Sequence, residues 1–274
     1  MRMLLGLLAL FVAVYVAIVL LLYFGQSRLV YFPLQSISQT PAGFGLDYTS
    51  VSIATSDGET LHGWWVPVAD AKGTVLFFHG NAGNISHRLD YLPMFKRLGY
   101  NTLLLDYRGY GQSSGIPTES GTYLDAQAAW QYVTEVQGIT PEQIVLYGES
   151  LGGAVAAWLA THEKPSLLVL ASTFTSVYDL AEELYPFLPV RWITRFQYNT
   201  LEALRSVACP VFIAHSPQDE IIPFDHGQRL YQAASEPKQF LMLEGGHNSG
   251  FIFMRPEWIN TLGEFMDAHN AAAQ

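Results

Sequence analysis

Met3 to Phe24 is an unbroken apolar run, and no charge appears between Arg2 and Arg28. A helix of these 22 residues is about 33 Å long, enough to cross a hydrocarbon core of ~30 Å. Backbone in lipid must satisfy its own polar groups, so helix is the form predicted. Tyr15, Tyr23, Tyr31 and Phe32 suit an interfacial end. The rival reading is a cleaved signal peptide, with Gly25-Gln26-Ser27 as a small-x-small cleavage triplet. Signal peptides carry a shorter apolar core of ~7–15 residues, which favours an uncleaved anchor over residues 1–27. The α-amino group and Arg2 precede the span, and only Arg28 follows closely. The positive-inside rule then puts the N-terminus in the cytoplasm and the rest of the chain on the extracytoplasmic side.

Residues 28–47 read as a connector, because Pro33, Pro41, Gly43 and Gly45 break any periodicity. Beyond it, strand-like and helix-like runs alternate. Val51-Ser52-Ile53 and Leu61 to Val66 flank Ser56-Asp57-Gly58, a hairpin signal. Six short continuous apolar runs follow, at 74–78, 102–105, 144–147, 167–170, 211–214 and 240–243, as expected of strands buried on both faces. Helical stretches lie between them at 88–98, 118–137, 151–161 and 225–234, and 256–269 follows the last. This order predicts an α/β domain over 48–270, with a mostly parallel eight-stranded sheet and helices on both faces. Residues 176–205 are too long for one crossover helix and are rich in aromatics. They are either a small helical cap over a pocket or an insertion packing its rings on the core. The tail, 271–274, reads as a fraying end.

Composition narrows the function. Half of the residues are hydrophobic, which excludes a disordered chain. The net charge of −10 argues against a nucleic-acid partner, which needs a basic footprint. A lone cysteine, Cys209, excludes an internal disulfide framework and any Cys-cluster metal site.

Gly148-Glu149-Ser150-Leu151-Gly152 is G-x-S-x-G between an apolar strand and an Ala-rich helical stretch. That context makes Ser150 a candidate nucleophile on a sharp strand-to-helix turn. A serine hydroxyl needs a base to take its proton. Of eight histidines, His247 follows the last strand on a glycine-rich loop and is the candidate. His215 ends a strand and is read as shaping the next loop; His79 opens a glycine-containing loop. The base in turn needs a carboxylate. Asp219 is favoured over Glu220, because Glu220 precedes the apolar pair Ile221-Ile222 and is expected to face solvent. The order Ser150, Asp219, His247 is that of one known fold class. Oxyanion donors are expected from the N–H of Leu151 and from the loop His79 to Asn84, with Asn81 as the second donor. A phosphate-cradling role for that loop lacks the required lysine pattern. Asp106 and Arg108 are expected to pair with each other inside a tight turn.

These pieces together carry a resemblance. Phe77 to Asn84, Asp106 to Gly111, Gly148 to Gly152, Asp219 with Pro223, and Gly246-His247 resemble the α/β-hydrolase superfamily over residues 48 to 268. Within it, the chain is most similar to a membrane-anchored branch related to the bud-emergence proteins and to protein depalmitoylases. The resemblance implies a hydrolase with Ser150 as nucleophile, His247 as base and Asp219 as its partner. It leaves the substrate open, since one fold hosts many chemistries. The N-terminal cysteine cluster of the mammalian depalmitoylases is missing here.

The function expected is therefore a membrane-anchored serine hydrolase cleaving acyl esters or thioesters, with no metal or organic cofactor. Trp192 and Phe196 are the expected walls of an acyl pocket, supplied with lipid-like acyl substrate from the bilayer on a tether of about twenty residues. Two alternatives remain. One is an amidase or aminopeptidase, hinted at by Glu182 and Glu183; the other is a non-catalytic membrane scaffold.

Overall fold

The computed structural model describes residues 1–270, so the expected fraying end at 271–274 lies outside the described residues. Helix α1 spans Arg2–Gly25 and stands clear of the body over most of its length. The body is built on eight strands: β1 Thr49–Ala54, β2 Thr60–Val66, β3 Gly73–Phe78, β4 Tyr100–Leu105, β5 Ile144–Glu149, β6 Leu167–Ala171, β7 Val211–His215 and β8 Lys238–Met242. Their order across the sheet is β8-β7-β6-β5-β3-β4-β2-β1. The β1–β2 and β2–β4 pairs are antiparallel and the remaining pairs parallel. The mostly parallel eight-stranded sheet expected from the sequence is the one observed.

Burial follows the hydrophobic pattern. Every residue of β3, β5, β6 and β7 is buried, as continuous apolar runs require when helices cover both faces. Edge strand β1 alternates exposed and buried positions over most of its length, so only one of its faces meets the core. Helices α2 (Tyr91–Leu98), α3 (Glu119–Gln131), α4 (Leu151–His162), α5 (Val177–Leu184), α6 (Val190–Ile193), α7 (Thr200–Leu204), α8 (Phe224–Ala233) and α9 (Pro256–His269) complete the body. Trp130 of α3, Val155 of α4 and Leu230 of α8 belong to the core on one face of the sheet. Phe95 of α2 and Leu262 of α9 belong to the core on the other. The helical stretch expected over 118–137 is α3 followed by a π-helical turn, Tyr132–Val136.

Two expectations are corrected. Residues 28–47 do not form a free tether. Ser27–Val30 is one helical turn, and Phe32–Pro33 pairs in parallel with Ala82–Gly83. Tyr31 is buried with its hydroxyl 2.7 Å from that of Tyr198, and the Asn84 side chain donates to the carbonyls of Leu34 and Ser36. Proline and glycine end helices without freeing a chain whose polar groups find partners in the body. Nor do Asp106 and Arg108 pair with each other. Arg108 donates to Asp125 at 2.9 Å and to Asp57 at 2.7 Å, while Asp106 accepts the Ile85 N–H at 2.9 Å. Each of the two thus finds its partners at positions distant in sequence.

Candidate active site

Strand β5 delivers Ser150 to the start of α4 in a backbone conformation that side chains rarely adopt, φ 53° and ψ −118°. The turn is held by backbone bonds: the Ser150 N–H donates to Ala171 O at 2.9 Å, and its carbonyl accepts from Thr173 Oγ1 at 2.6 Å. Small residues are obligatory around it. A Cβ on Gly152 would lie 2.0 Å from the Phe78 carbonyl oxygen, and one on Gly148 would lie 2.4 Å from that of Gly152. The glycines of the motif let α4 approach the sheet closely enough to present the serine.

Three loops converge here. Ser150 Oγ lies 3.2 Å from His247 Nε2, and His247 Nδ1 lies 2.7 Å from Asp219 Oδ2. A carboxylate accepts only, so Nδ1 carries a proton and Nε2 is free to accept from the serine hydroxyl. Asp219 is itself well supplied with donors. Its Oδ1 accepts the N–H groups of Ile221 at 3.0 Å and Ile222 at 2.7 Å, and His215 Nε2 lies 3.4 Å from Oδ2. Burial raises the carboxyl's pKa, but hydrogen bonds from His215 and His247, the His247 charge and the Ile222 N–H outweigh it and hold the pKa well below the ordinary range. The residue stays ionised beside the imidazole at any pH near neutral.

Glu220 does more than face solvent. Its Oε2 accepts the backbone N–H of His247 at 3.0 Å and so fixes the loop that carries the ring. Ser216 Oγ donates to Gly245 O at 2.6 Å, and Gln218 Oε1 accepts the Gly245 N–H at 3.1 Å. The loops after β7 and β8 are thus laced together. No spacing pattern in the sequence marks Glu220, Ser216, Gln218 or His215 for these tasks; only the pairing of β8 beside β7 brings them within reach.

The expected oxyanion donors flank the serine. No turn, loop or cap bond among the described residues takes the N–H of Leu151 or Asn81. The Asn81 side chain is committed elsewhere, donating to Val30 O at 3.0 Å, which leaves its backbone amide as the available donor. Its carbonyl accepts from Phe32 N–H and Tyr110 Oη, so the docked segment after α1 braces this loop. Behind it His79 is wholly buried. Burial above all, and then the charges of Arg88 and His87, lower its pKa from histidine's ordinary 6.5 to about 3.

That shift has a measurable consequence. Between about pH 6.5 and pH 3 the unfolded chain binds a proton that folded His79 refuses. Stability therefore falls as the pH drops through this window, by up to ~1.4 kcal/mol per pH unit for one such group. The urea midpoint should decline from pH 6.5 to 4.5, and less steeply in His79→Gln. An equally steep decline in the variant would remove His79 as a source of acid sensitivity.

Above the serine lies a cavity of about 700 Å³. Leu180 and Leu184 of α5, Val190 and Ile193 of α6, and Ile18 and Leu22 of α1 line it, with Ser150, Leu151, Asn81 and His247 at its base. Trp192 and Phe196 do not. Trp192 is 85% exposed, because α6 turns Val190 and Ile193 inward and carries Trp192 to the other side. Phe196 is buried in the body, its ring edge-on to Tyr31 at 5.5 Å. Residues 176–193 therefore roof the cavity, whereas Phe196 and Tyr198 rejoin the core. Glu182 faces Arg191, and Glu183 faces His226 and Arg229, so neither lines the cavity. Among the described residues no group of three or more His, Cys, Asp or Glu is placed to hold a metal ion.

Comparison with known proteins agrees with this architecture. The family model for the alpha/beta hydrolase fold matches residues 73–196. The alpha/beta hydrolase domain-containing protein WAV2 of Arabidopsis thaliana is 38% identical over 248 residues, covering 82% of this chain and 80% of that protein. Protein bem46 of Schizosaccharomyces pombe is 35% identical over 216 residues, covering 74% of this chain and 72% of its own. The solved esterase Pf2001 of Pyrococcus furiosus matches with a TM-score of 0.72, covering 88% of this chain and 98% of that one; at 22% identity this is a likeness of fold. With a relative this similar over most of both lengths, and with a family model for this fold matching residues 73–196, the chain belongs to the α/β-hydrolase family, in the group related to bem46.

Proposed function

We propose that this chain is a membrane-anchored serine hydrolase that cleaves acyl esters or thioesters, its catalytic domain on the extracytoplasmic side. The observation that carries the reading is the hydrogen-bonded series Ser150–His247–Asp219 at the base of an apolar cavity. In the proposed reaction Ser150 Oγ attacks the carbonyl carbon while His247 Nε2 takes the hydroxyl proton. Asp219 stabilises the imidazolium that forms. The N–H groups of Leu151 and Asn81 bind the developing oxyanion. Collapse of the tetrahedral intermediate expels the alcohol or thiol, which leaves with the proton from His247. Water, deprotonated by the same ring, then releases the acyl group as a carboxylic acid and restores the serine. No step calls for a metal or organic cofactor. Helix α1, which holds an 18-residue stretch with a mean hydropathy of 3.0, serves as the anchor.

An apolar cavity of this size supports an acyl chain as the bound portion, at about 0.8 kcal/mol per buried CH₂. The test is fluorophosphonate labelling of the full chain, followed by p-nitrophenyl esters of two to sixteen carbons beside acyl thioesters and aminoacyl amides. Labelling is expected, with kcat/KM for eight carbons at least tenfold above that for two. An unlabelled protein would point to a scaffold, and amides turned over faster than esters would point to an amidase.

A further inference from the structure

Helix α1 continues into the wall of the cavity. Ile18, Leu22 and Gln26 recur every four residues on one face of the chain and all line it. That face is pinned to the cap. Gln26 Oε1 accepts the Arg195 N–H at 2.8 Å, its Nε2 donates to Ile193 O, and the Arg195 guanidinium sits 5.6 Å from the centre of the Tyr23 ring. Higher on α1, the Tyr15 hydroxyl donates to the carbonyl of Phe187 at 3.2 Å. Tyr15 was expected at an interfacial end, yet it lies nine residues before the end of the apolar run at Phe24, about 14 Å along a helix. Half of a hydrocarbon core is ~15 Å. A bilayer that houses Met3 to Phe24 therefore also surrounds Phe187.

The cap loop is built for that depth. Leu184 to Val190 carries no charge. Pro186 and Pro189 have no N–H, and the N–H groups of Tyr185, Leu188 and Val190 bond to carbonyls within the cap. Little unpaired donor capacity is left to face lipid, the condition for backbone at membrane depth. Its side chains stay exposed even where they line the cavity: Phe187 is 70% exposed, and Leu184 and Tyr185 are exposed too. In water this would be an apolar patch with nothing to cover it.

We propose that loop 184–190 is seated in the bilayer beside α1, and that the acyl chain of a bilayer-resident lipid reaches Ser150 through the gap between them. The proposal rests on the anchored-hydrolase reading and gives its substrate class. The acyl chain passes from lipid into an apolar cavity without crossing water, and the scissile carbonyl stops where the polar groups begin, at Asn81, Ser150 and His247.

Depth is measured first, independently of catalysis. In a Cys209→Ser background, Phe187→Cys and, as a control far from the cap, Glu142→Cys each receive a nitroxide, and the full chain is placed in phosphatidylcholine nanodiscs. The label at 187 is expected to collide with oxygen and be shielded from a water-soluble nickel chelate, with the reverse at 142. Equal nickel access at the two positions would overturn the proposal. Leu22→Trp then narrows the cavity from the α1 side. The kcat/KM ratio for p-nitrophenyl palmitate in nanodiscs over p-nitrophenyl acetate should fall at least tenfold while fluorophosphonate labelling persists. An unchanged ratio, or loss of labelling together with loss of turnover of both esters, would show that α1 holds the fold rather than lines the site. Failure of the wild type to label would sink the hydrolase reading alone, leaving the depth result standing. An intact mass lacking residues 1–25 would remove the anchor itself.

Discussion

Ester hydrolysis by Ser150→Ala is expected to fall by about 10⁴–10⁶-fold, with fluorophosphonate labelling abolished and the fold intact. The two halves of this expectation come from different atoms. Catalysis in the proposed mechanism depends on Oγ, which lies 3.2 Å from His247 Nε2. The strained turn depends on backbone atoms: the Ser150 N–H on Ala171 O, and the Ser150 carbonyl on Thr173 Oγ1 and the Gly153 N–H. Alanine keeps all of these and suffers no more than serine from φ 53°, since both carry a Cβ. Melting temperature and circular dichroism should match the wild type. Activity within tenfold of wild type would remove Ser150 as the nucleophile.

Asp219→Asn is the second large effect, with an expected loss of about 10⁴ in kcat/KM. The cause lies in how the two carboxylate oxygens are used. Oδ1 already accepts two N–H groups, from Ile221 and Ile222, so an asparagine must place its carbonyl oxygen there. Its NH₂ group then occupies the Oδ2 position, 2.7 Å from His247 Nδ1. Two donors cannot face each other, so the ring is driven to the tautomer with its proton on Nε2. That proton points at Ser150, and the ring can no longer accept from it. Glu220→Gln provides the contrast. It keeps an oxygen for the His247 N–H, and the expected loss is under tenfold. Both variants are measured on one ester at one pH above neutrality. Equal losses would mean that the carboxylate's charge and its choice of atoms are immaterial.

The two substitutions also separate what is local in this protein from what is not. Continuous apolar runs such as Val75 to Phe78 and Leu167 to Leu170 reveal buried parallel strands, because burial on both faces leaves no room for polar alternation. The G-x-S-x-G turn is legible for a similar reason: its steric demands, down to a Cβ 2.0 Å from Phe78 O, fall on Gly148, Gly152 and Gly153, all within one short stretch of chain. Ser150, Asp219 and His247 could each be picked out because each follows a recognisable strand. The apolar span of α1 is likewise a statement about composition over one segment.

Side-chain direction across elements is another matter, since it depends on contacts between residues far apart in sequence. Trp192 and Phe196 looked like pocket walls by composition; the turn of α6 exposes one and the ring of Tyr31 buries the other. Arg108 finds Asp125 and Asp57 rather than its neighbour Asp106. Glu220 gains its task only because β8 lies beside β7. By itself the sequence determined the order of elements, the serine turn and the apolar span, all set by short-range sterics and hydrophobic periodicity. The tertiary structure alone decided that the segment after α1 docks on the body and that α1 helps wall the cavity, because those outcomes depend on packing between residues about 50 to 170 positions apart.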